Sequence, residues 1–365
     1  MPTLGEDYDP SRNSLNFLRL VLAALVVFSH SLTLGGFGGE AIRNRTTLGT
    51  VAVYGFFGLS GYLIAGSAIR HGPGRFVWQR CLRILPAFWV CLIITAFGFG
   101  VIAWLHGHSS VAGYLNGPQS PATYVTHNFA LRLNQQTIHG TLTNVPSLPV
   151  WNGSLWTLFY EFLCYLILGA LAVLGLLRRR VAVLLITIAL WVAEIVITSV
   201  PSLNAQVNLL NNLDLTRLLI LVPTFLTGSL LYLYRDQLPD AGWIAAASTV
   251  LFLSGLFLPV GNNNPTFTLT STDLTAIFAV YPLLWLAIHL PFHRIGATND
   301  YSYGVYIYAF PVQQLLAMWG LAAWGYVPYT LSALAVTMAL AVASWWLIER
   351  HALRLTHVPH FSRPI

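Results

Sequence analysis

Apolar residues in this chain fall in long, nearly unbroken runs, and windows of near twenty residues give about ten of them. The first is Leu15 to Leu34. Others lie near Leu48 to Ile69, from the end of FVWQRCLRILP to about Leu105, and through SLWTLFYEFLCYLILGALAVLGLL. The rest fall near Val181 to Ser199, Leu215 to Tyr234, Ala241 to Pro259, Asp273 to Leu290, Tyr301 to Leu321 and Pro328 to Ile348. Each is close to the length a helix needs to cross a bilayer, where every backbone polar group must be satisfied within the segment. The pattern predicts an all-α, polytopic integral membrane bundle of about ten transmembrane helices. No cleavage site follows the first run, so Leu15 to Leu34 is expected to span the membrane and not to be a removable signal. The longest polar stretch, His106 to Gly153, is rich in Gly, Ser, Thr, Asn and Pro. A connection of that length is expected to be functional or disordered.

Composition sharpens this picture. The chain has 365 residues, 56% of them hydrophobic and 8% charged, where a soluble domain carries about a quarter charged. No stretch is left for a separate soluble core, so residues 15–350 are expected to form one membrane domain, between tails at residues 1–14 and 351–365. All 18 basic residues are arginine. The absence of lysine excludes a lysine Schiff base and makes every fixed cation a planar multi-donor suited to phosphate and carboxylate. Arginine placement also orients the spans, because short cytoplasmic loops hold the excess positive charge. With the N-terminus inside, the inner positions carry Arg70, Arg75, Arg80, Arg83, Arg178 to Arg180, Arg235, Arg294, Arg350 and Arg354, and the outer loops only Arg43, Arg45 and Arg132. Both termini are then expected in the cytoplasm and the loop at 106–153 outside. Cys81, Cys91 and Cys164 lack disulfide or zinc spacing, and no P-loop, dinucleotide or metalloprotease motif occurs. Neither a metal nor a nucleic-acid partner is expected.

Against this apolar background a few polar residues stand out. The first span carries both Arg19 and His30. Eleven residues apart, they return to nearly the same helix face, roughly 16 Å from each other along the axis. Ionisable groups at such depth are costly and usually face a protein interior or a water-filled cavity. His30 lies roughly 6 Å below the outer end of its span, and Glu161, seven residues into the fourth span, roughly 10 Å below it. A carboxylate beside a neutral imidazole fixes its tautomer and strengthens it as a base for a hydroxyl proton. A His30–Glu161 pair would either do that or simply tie two helices together. Arg80 and Arg83 form an i, i+3 pair at the inner mouth of the third span, able to fork around phosphate oxygens or to belong to the lipid-facing basic belt. Ser60, in FFGLSGYL, sits among small residues that usually mark close helix packing. Glu194, Asp214 and Arg217 lie near the outer ends of their spans, where pairing, lining a cavity and interface snorkelling are equally open.

Six of these segments, taken in order, resemble membrane-bound acyltransferase family 3. They are Arg19 and His30 with ten residues between them, FFGLSGYLI, RCLRILPAFW, SLWTLFYEFLCY, SYGVYIYAFPVQQ and WWLIER, covering Leu15 to about Arg350. The resemblance implies a multi-pass protein of a bacterial inner or plasma membrane that moves an acyl group, acetyl by expectation, from cytoplasmic acyl-CoA to a hydroxyl of an extracytoplasmic glycan or glycolipid. By the same resemblance His30 is the catalytic histidine, Arg19 its companion, and Arg80 and Arg83 serve the donor, with membrane lipids as surroundings. Where family members often carry a histidine in the SYGVYIYAF segment, this chain has Ala309. The competing expectation is a proton-coupled transporter or flippase using Arg19, His30 and Glu161 as its pathway.

Overall fold

The computed structural model describes residues 1–43, 46–200, 202–203, 213–257 and 271–357. Arg45 and the side chains of Arg43 and Asp214 lie outside the described residues. Of the C-terminal tail, residues 358–365 lie outside them as well.

The expected helices form. In chain order they are α1 (Leu4–Asp7), α2 (Leu15–Leu34), α3 (Leu48–Arg70), α4 (Pro73–Gly107), α5 (Pro121–Asn128), α6 (Trp156–Val173), α7 (Arg180–Ser199), α8 (Leu213–Leu233), α9 (Gly242–Ser254), α10 (Thr272–His289), α11 (Ser302–Met318) and α12 (Tyr326–Arg354). One small hairpin, β1 (Ala41–Arg43) with β2 (Thr46–Thr47), precedes α3. Among the described residues, eight helices are long and apolar enough to cross a membrane. Two segments expected to span are shorter, α9 at 13 residues and α11 at 17. The protein is an all-α polytopic membrane protein. The expected third span is the one that differs most, running 35 residues from Pro73. The half-apolar RCLRILP segment, expected to precede the span, is helical because Pro73 starts the helix at the position where a missing N–H costs nothing. Arg80 and Arg83 therefore share one continuous helix with the apolar run. A π-helical turn interrupts α4 at Ile94–Phe99 and another interrupts α12 at Trp345–Glu349.

The chain divides into two compact units. The first comprises Met1–Leu22, Ala41–Val77 and Tyr160–Ala297, the second Ala23–Glu40, Trp78–Phe159 and Thr298–Ile365.

In the first unit α3 and α8 meet backbone to backbone. A Cβ at Gly61 would lie 1.9 Å from the carbonyl oxygen of Phe225, and one at Gly228 would lie 1.9 Å from that of Gly58. The small residues of FFGLSGYL are what let the two helices approach so closely. The N-terminal segment is folded onto this unit. Thr3 and Glu6 form a reciprocal capping box for α1, and Leu4 is fully buried with Tyr62, Leu231, Val280 and Leu284. Tyr8 meets the Tyr62 ring edge to face at 5.3 Å.

The second unit is organised around α11, every residue of which is buried. Several of its polar side chains bond neighbouring backbone: Tyr303 donates to the carbonyl of Ile84 at 2.8 Å and Tyr306 to that of Ser154 at 2.7 Å. Gln314 donates to the carbonyls of Leu148 at 2.9 Å and Val150 at 2.8 Å. These bonds pin the end of the long loop at 106–153, which is ordered. Within it Ser120 caps α5, and the Asn128 side chain accepts from the backbone N–H groups of Asn134 and Gln135 at 2.9 and 3.0 Å. Trp151 is fully buried and donates to Thr141 at 2.9 Å.

Candidate active site

The second unit holds a histidine–carboxylate pair built by a glycine turn. Helix α2 ends at Leu34; Gly36 takes the left-handed conformation at φ 74°, and the N–H of Phe37 closes on the carbonyl of Leu32 at 2.8 Å. Glycine carries such a turn without the penalty a side chain would bring. The chain then doubles back and delivers Glu40 to the side chain of His30, with His30 Nδ1 3.0 Å from Glu40 Oε1. Ser29, one residue before the histidine, donates to the other oxygen, Oε2, at 2.9 Å. Both partners are largely enclosed, the His30 side chain 24% exposed and that of Glu40 17%. Burial pulls the Glu40 carboxyl upward. The hydrogen bond and charge of His30, with the hydroxyls of Ser29 and Thr33, outweigh that pull and hold it below the ordinary glutamate value.

The carboxylate beside His30 is thus Glu40, where depth along the spans had pointed to Glu161. Depth could order residues along the membrane normal but said nothing of a loop folding back. Glu161 lies in the first unit, where its Oε1 accepts from Ser60 Oγ at 3.3 Å and from the Tyr165 hydroxyl. A trace of Glu40 was available in the sequence, as an acidic residue closing GGFGGE just past the histidine's helix.

Around His30 the second unit adds an aromatic and several amides. The Phe310 ring meets the imidazole edge to face at 5.3 Å, and a Cβ at Gly153 would lie 2.9 Å from the same phenyl ring. The loop end at Asn152–Ser154 therefore passes against Phe310. The Asn152 amide donates to the carbonyl of Ile307 at 2.8 Å, and Gln313 donates to Ser31 Oγ and to the carbonyl of Val27, both at 2.8 Å. Among the described residues, Asn152 Oδ1, Ser154 Oγ and Gln313 Oε1 are buried with no hydrogen-bond partner.

The arginines expected at the site divide. Arg19 lies half-buried in the first unit, eleven residues before His30 on α2. Arg80 and Arg83 lie half-buried on α4 in the second. Arg83 is held by two carboxylates, Asp300 and Glu349, and stacks over the Tyr303 ring at 5.6 Å. Glu349 stands in the π-helical turn of α12 and accepts from Ser344 Oγ at 3.1 Å. Asp300 also accepts from the backbone N–H of Ser302 at 3.2 Å, at the start of α11. Asp300, which sequence reasoning had missed, and Glu349 join α4, α11 and α12 through one guanidinium.

Fold and site together define a multi-pass helical membrane protein with a histidine–glutamate pair at the end of its first long helix. A family profile described as "Acyltransferase domain" matches residues 12–346, and the chain belongs to that family. Its relatives include an "O-acetyl transferase" of Shigella phage Sf6, 29% identical over 354 residues, covering 93% of this chain and 96% of the relative. "Nodulation protein 10" of Rhizobium leguminosarum bv. viciae is 27% identical over 371 residues, covering 94% of each. No solved structure matches the chain.

Proposed function

We propose that the protein is an O-acyltransferase of the bacterial cell membrane that transfers an acyl group, acetyl in the first instance, from cytoplasmic acyl-CoA to a hydroxyl of an extracytoplasmic glycan or glycolipid. The observation that carries this reading is the bond between His30 Nδ1 and Glu40 in a chain of the acyltransferase family. The name of the phage relative supports oxygen as the acceptor atom and acetyl as the group. A carboxylate can only accept, so Nδ1 carries the hydrogen, and in the neutral imidazole that the reaction requires Nε2 has the lone pair.

Nε2 of His30 removes the acceptor's hydroxyl proton as that oxygen bonds to the thioester carbonyl carbon. The carbon–sulfur bond breaks, its electron pair leaves with the CoA sulfur, and the proton passes from Nε2 to that sulfur. Glu40 steadies the imidazolium in between, and transfer is direct, with no acyl-enzyme. Arg19, roughly 16 Å along the same helix, serves the donor's arm or thioester oxygen. Arg80 serves the donor's phosphates. Arg83 positions α4 through Asp300 and Glu349, and no catalytic step falls to Glu161. Holding both reactants in place accounts for much of the rate in such a scheme.

Purified protein given acetyl-CoA and an envelope glycan should release CoA. His30→Ala, shown to reach the membrane, should lower that rate by about 10²–10⁴-fold. Near-normal acylation by His30→Ala would remove the histidine from the chemistry, and uptake of intact substrate without CoA release would make the protein a transporter. Mass spectrometry of envelope glycans from cells with and without the protein would identify the acceptor.

A further inference from the structure

A cavity of about 300 Å³ opens in the first unit where α3 ends, α4 begins and α6 runs out. Its wall carries Arg70, the last residue of α3, His71 just beyond it, and Arg178 in the turn after α6. Phe76, Gly169 and Ala172 line it as well. Among its lining residues there is no carboxylate. Arg70 and Arg178 are both exposed, and among the described residues neither has a carboxylate within ion-pairing distance. This sets them apart from Arg83, whose charge Asp300 and Glu349 answer.

The other lining features point to the same kind of occupant. His71 Nδ1 lies 3.1 Å from the carbonyl oxygen of Ser67, which can only accept, so Nδ1 carries a hydrogen and Nε2 takes no part in that bond; with a hydrogen on Nε2 as well the ring would donate to a phosphate. The 35-residue helix α4 starts at Pro73 on the wall, so its positive end adds to the two guanidinium charges. Apart from Arg70, His71 and Arg178 the lining is apolar or glycine. A Cβ at Gly169 would lie 3.3 Å from the Phe76 ring, so any side chain there would crowd that ring. Guanidinium groups lining the same cavity as aromatic and aliphatic side chains suit a phosphate ester whose other end is flat or apolar.

We propose that this cavity binds a phosphate ester attached to an apolar or aromatic group. Two sources supply that chemistry: the headgroup of an anionic phospholipid, and the adenine nucleotide end of CoA. Only the second rests on the acyl-CoA reading given above.

Two variants and two probes separate the possibilities. Arg70→Gln/Arg178→Gln removes the charges, and Ala172→Phe adds bulk to the lining while leaving them in place. Each protein, checked for an unchanged melting temperature, is titrated with CoA in detergent and examined by native mass spectrometry for phosphatidylglycerol retained from vesicles of that lipid. Both variants are expected to weaken the same probe at least tenfold. Loss of phosphatidylglycerol with CoA unaffected assigns the cavity to lipid, and the reverse assigns it to the nucleotide. If CoA fails to bind even the unaltered protein while lipid retention still depends on the cavity, the donor reading falls and the pocket stands. Wild-type binding of both probes by both variants would overturn the proposal.

Discussion

His30 and Glu40 are ten residues apart in sequence and 3.0 Å apart in space, Nδ1 to Oε1, because a glycine turn folds the end of α2 back on itself. If Glu40 fixes the tautomer and steadies the imidazolium, removing its charge should slow the chemistry more than it weakens binding. Glu40→Gln is expected to lower kcat by about 10–100-fold, the worth of one charge-assisted hydrogen bond, with little change in KM for acetyl-CoA. Steady-state kinetics on the purified variant would check this. A rise in KM at unchanged kcat would place Glu40 in binding.

The same pair makes stability depend on pH. The carboxyl of folded Glu40 lies below its ordinary value, so the folded state keeps it ionised where the unfolded chain would protonate it. Its contribution is fully present above the ordinary carboxylate range and is lost as pH falls through the folded value. The melting temperature of the wild type should therefore exceed that of Glu40→Gln at pH near 7, and the gap should close on acidification below about pH 4. A gap that widens toward acid would reverse the sign and contradict the pairing.

Much of this arrangement is legible in the chain itself. Apolar run length located the membrane helices, because the bilayer leaves the backbone few other options. It also drew attention to Arg19 and His30, since ionisable groups in such runs are rare. What run length could not supply was the partner of each group. Glu40 reaches His30 through a turn whose direction depends on φ at glycine. Arg83 meets Asp300 and Glu349 across more than two hundred residues of chain, through helix packing that no local pattern encodes. The loop at 106–153 had composition but no period, so its order, maintained by the amides of Asn128 and Gln314, was invisible until folded.

The approach of α3 to α8 gives a stability prediction. A Cβ at Gly61 would stand 1.9 Å from the Phe225 carbonyl oxygen, and backbone cannot swing aside as a side chain can. Gly61→Ala must push the helices apart, and overpacking of this kind costs about 1–3 kcal/mol or more. A clear drop in melting temperature is expected on fluorescence-detected size exclusion. Gly72→Ala, in open space at a helix end, should change it little. Equal behaviour of the two variants would mean that α3 and α8 do not pack as closely as described.

Arg83 offers the sharpest separation of structural from donor-binding roles. Its guanidinium is shared by Asp300 and Glu349, and the Glu349 side chain is only 2% exposed. Removing the cation alone strands an enclosed carboxylate, a loss of about 3–5 kcal/mol for a broken buried pair. Arg83→Leu should therefore lower the melting temperature sharply, whereas Arg83→Leu combined with Glu349→Leu should recover part of the loss by removing the stranded charge. Arg83→Lys keeps the charge but not the fork that spans two carboxylates, so it should fall between. If instead Arg83→Leu melts like the wild type while the KM for acetyl-CoA rises, Arg83 contacts the donor directly and the two carboxylates only hold it in place.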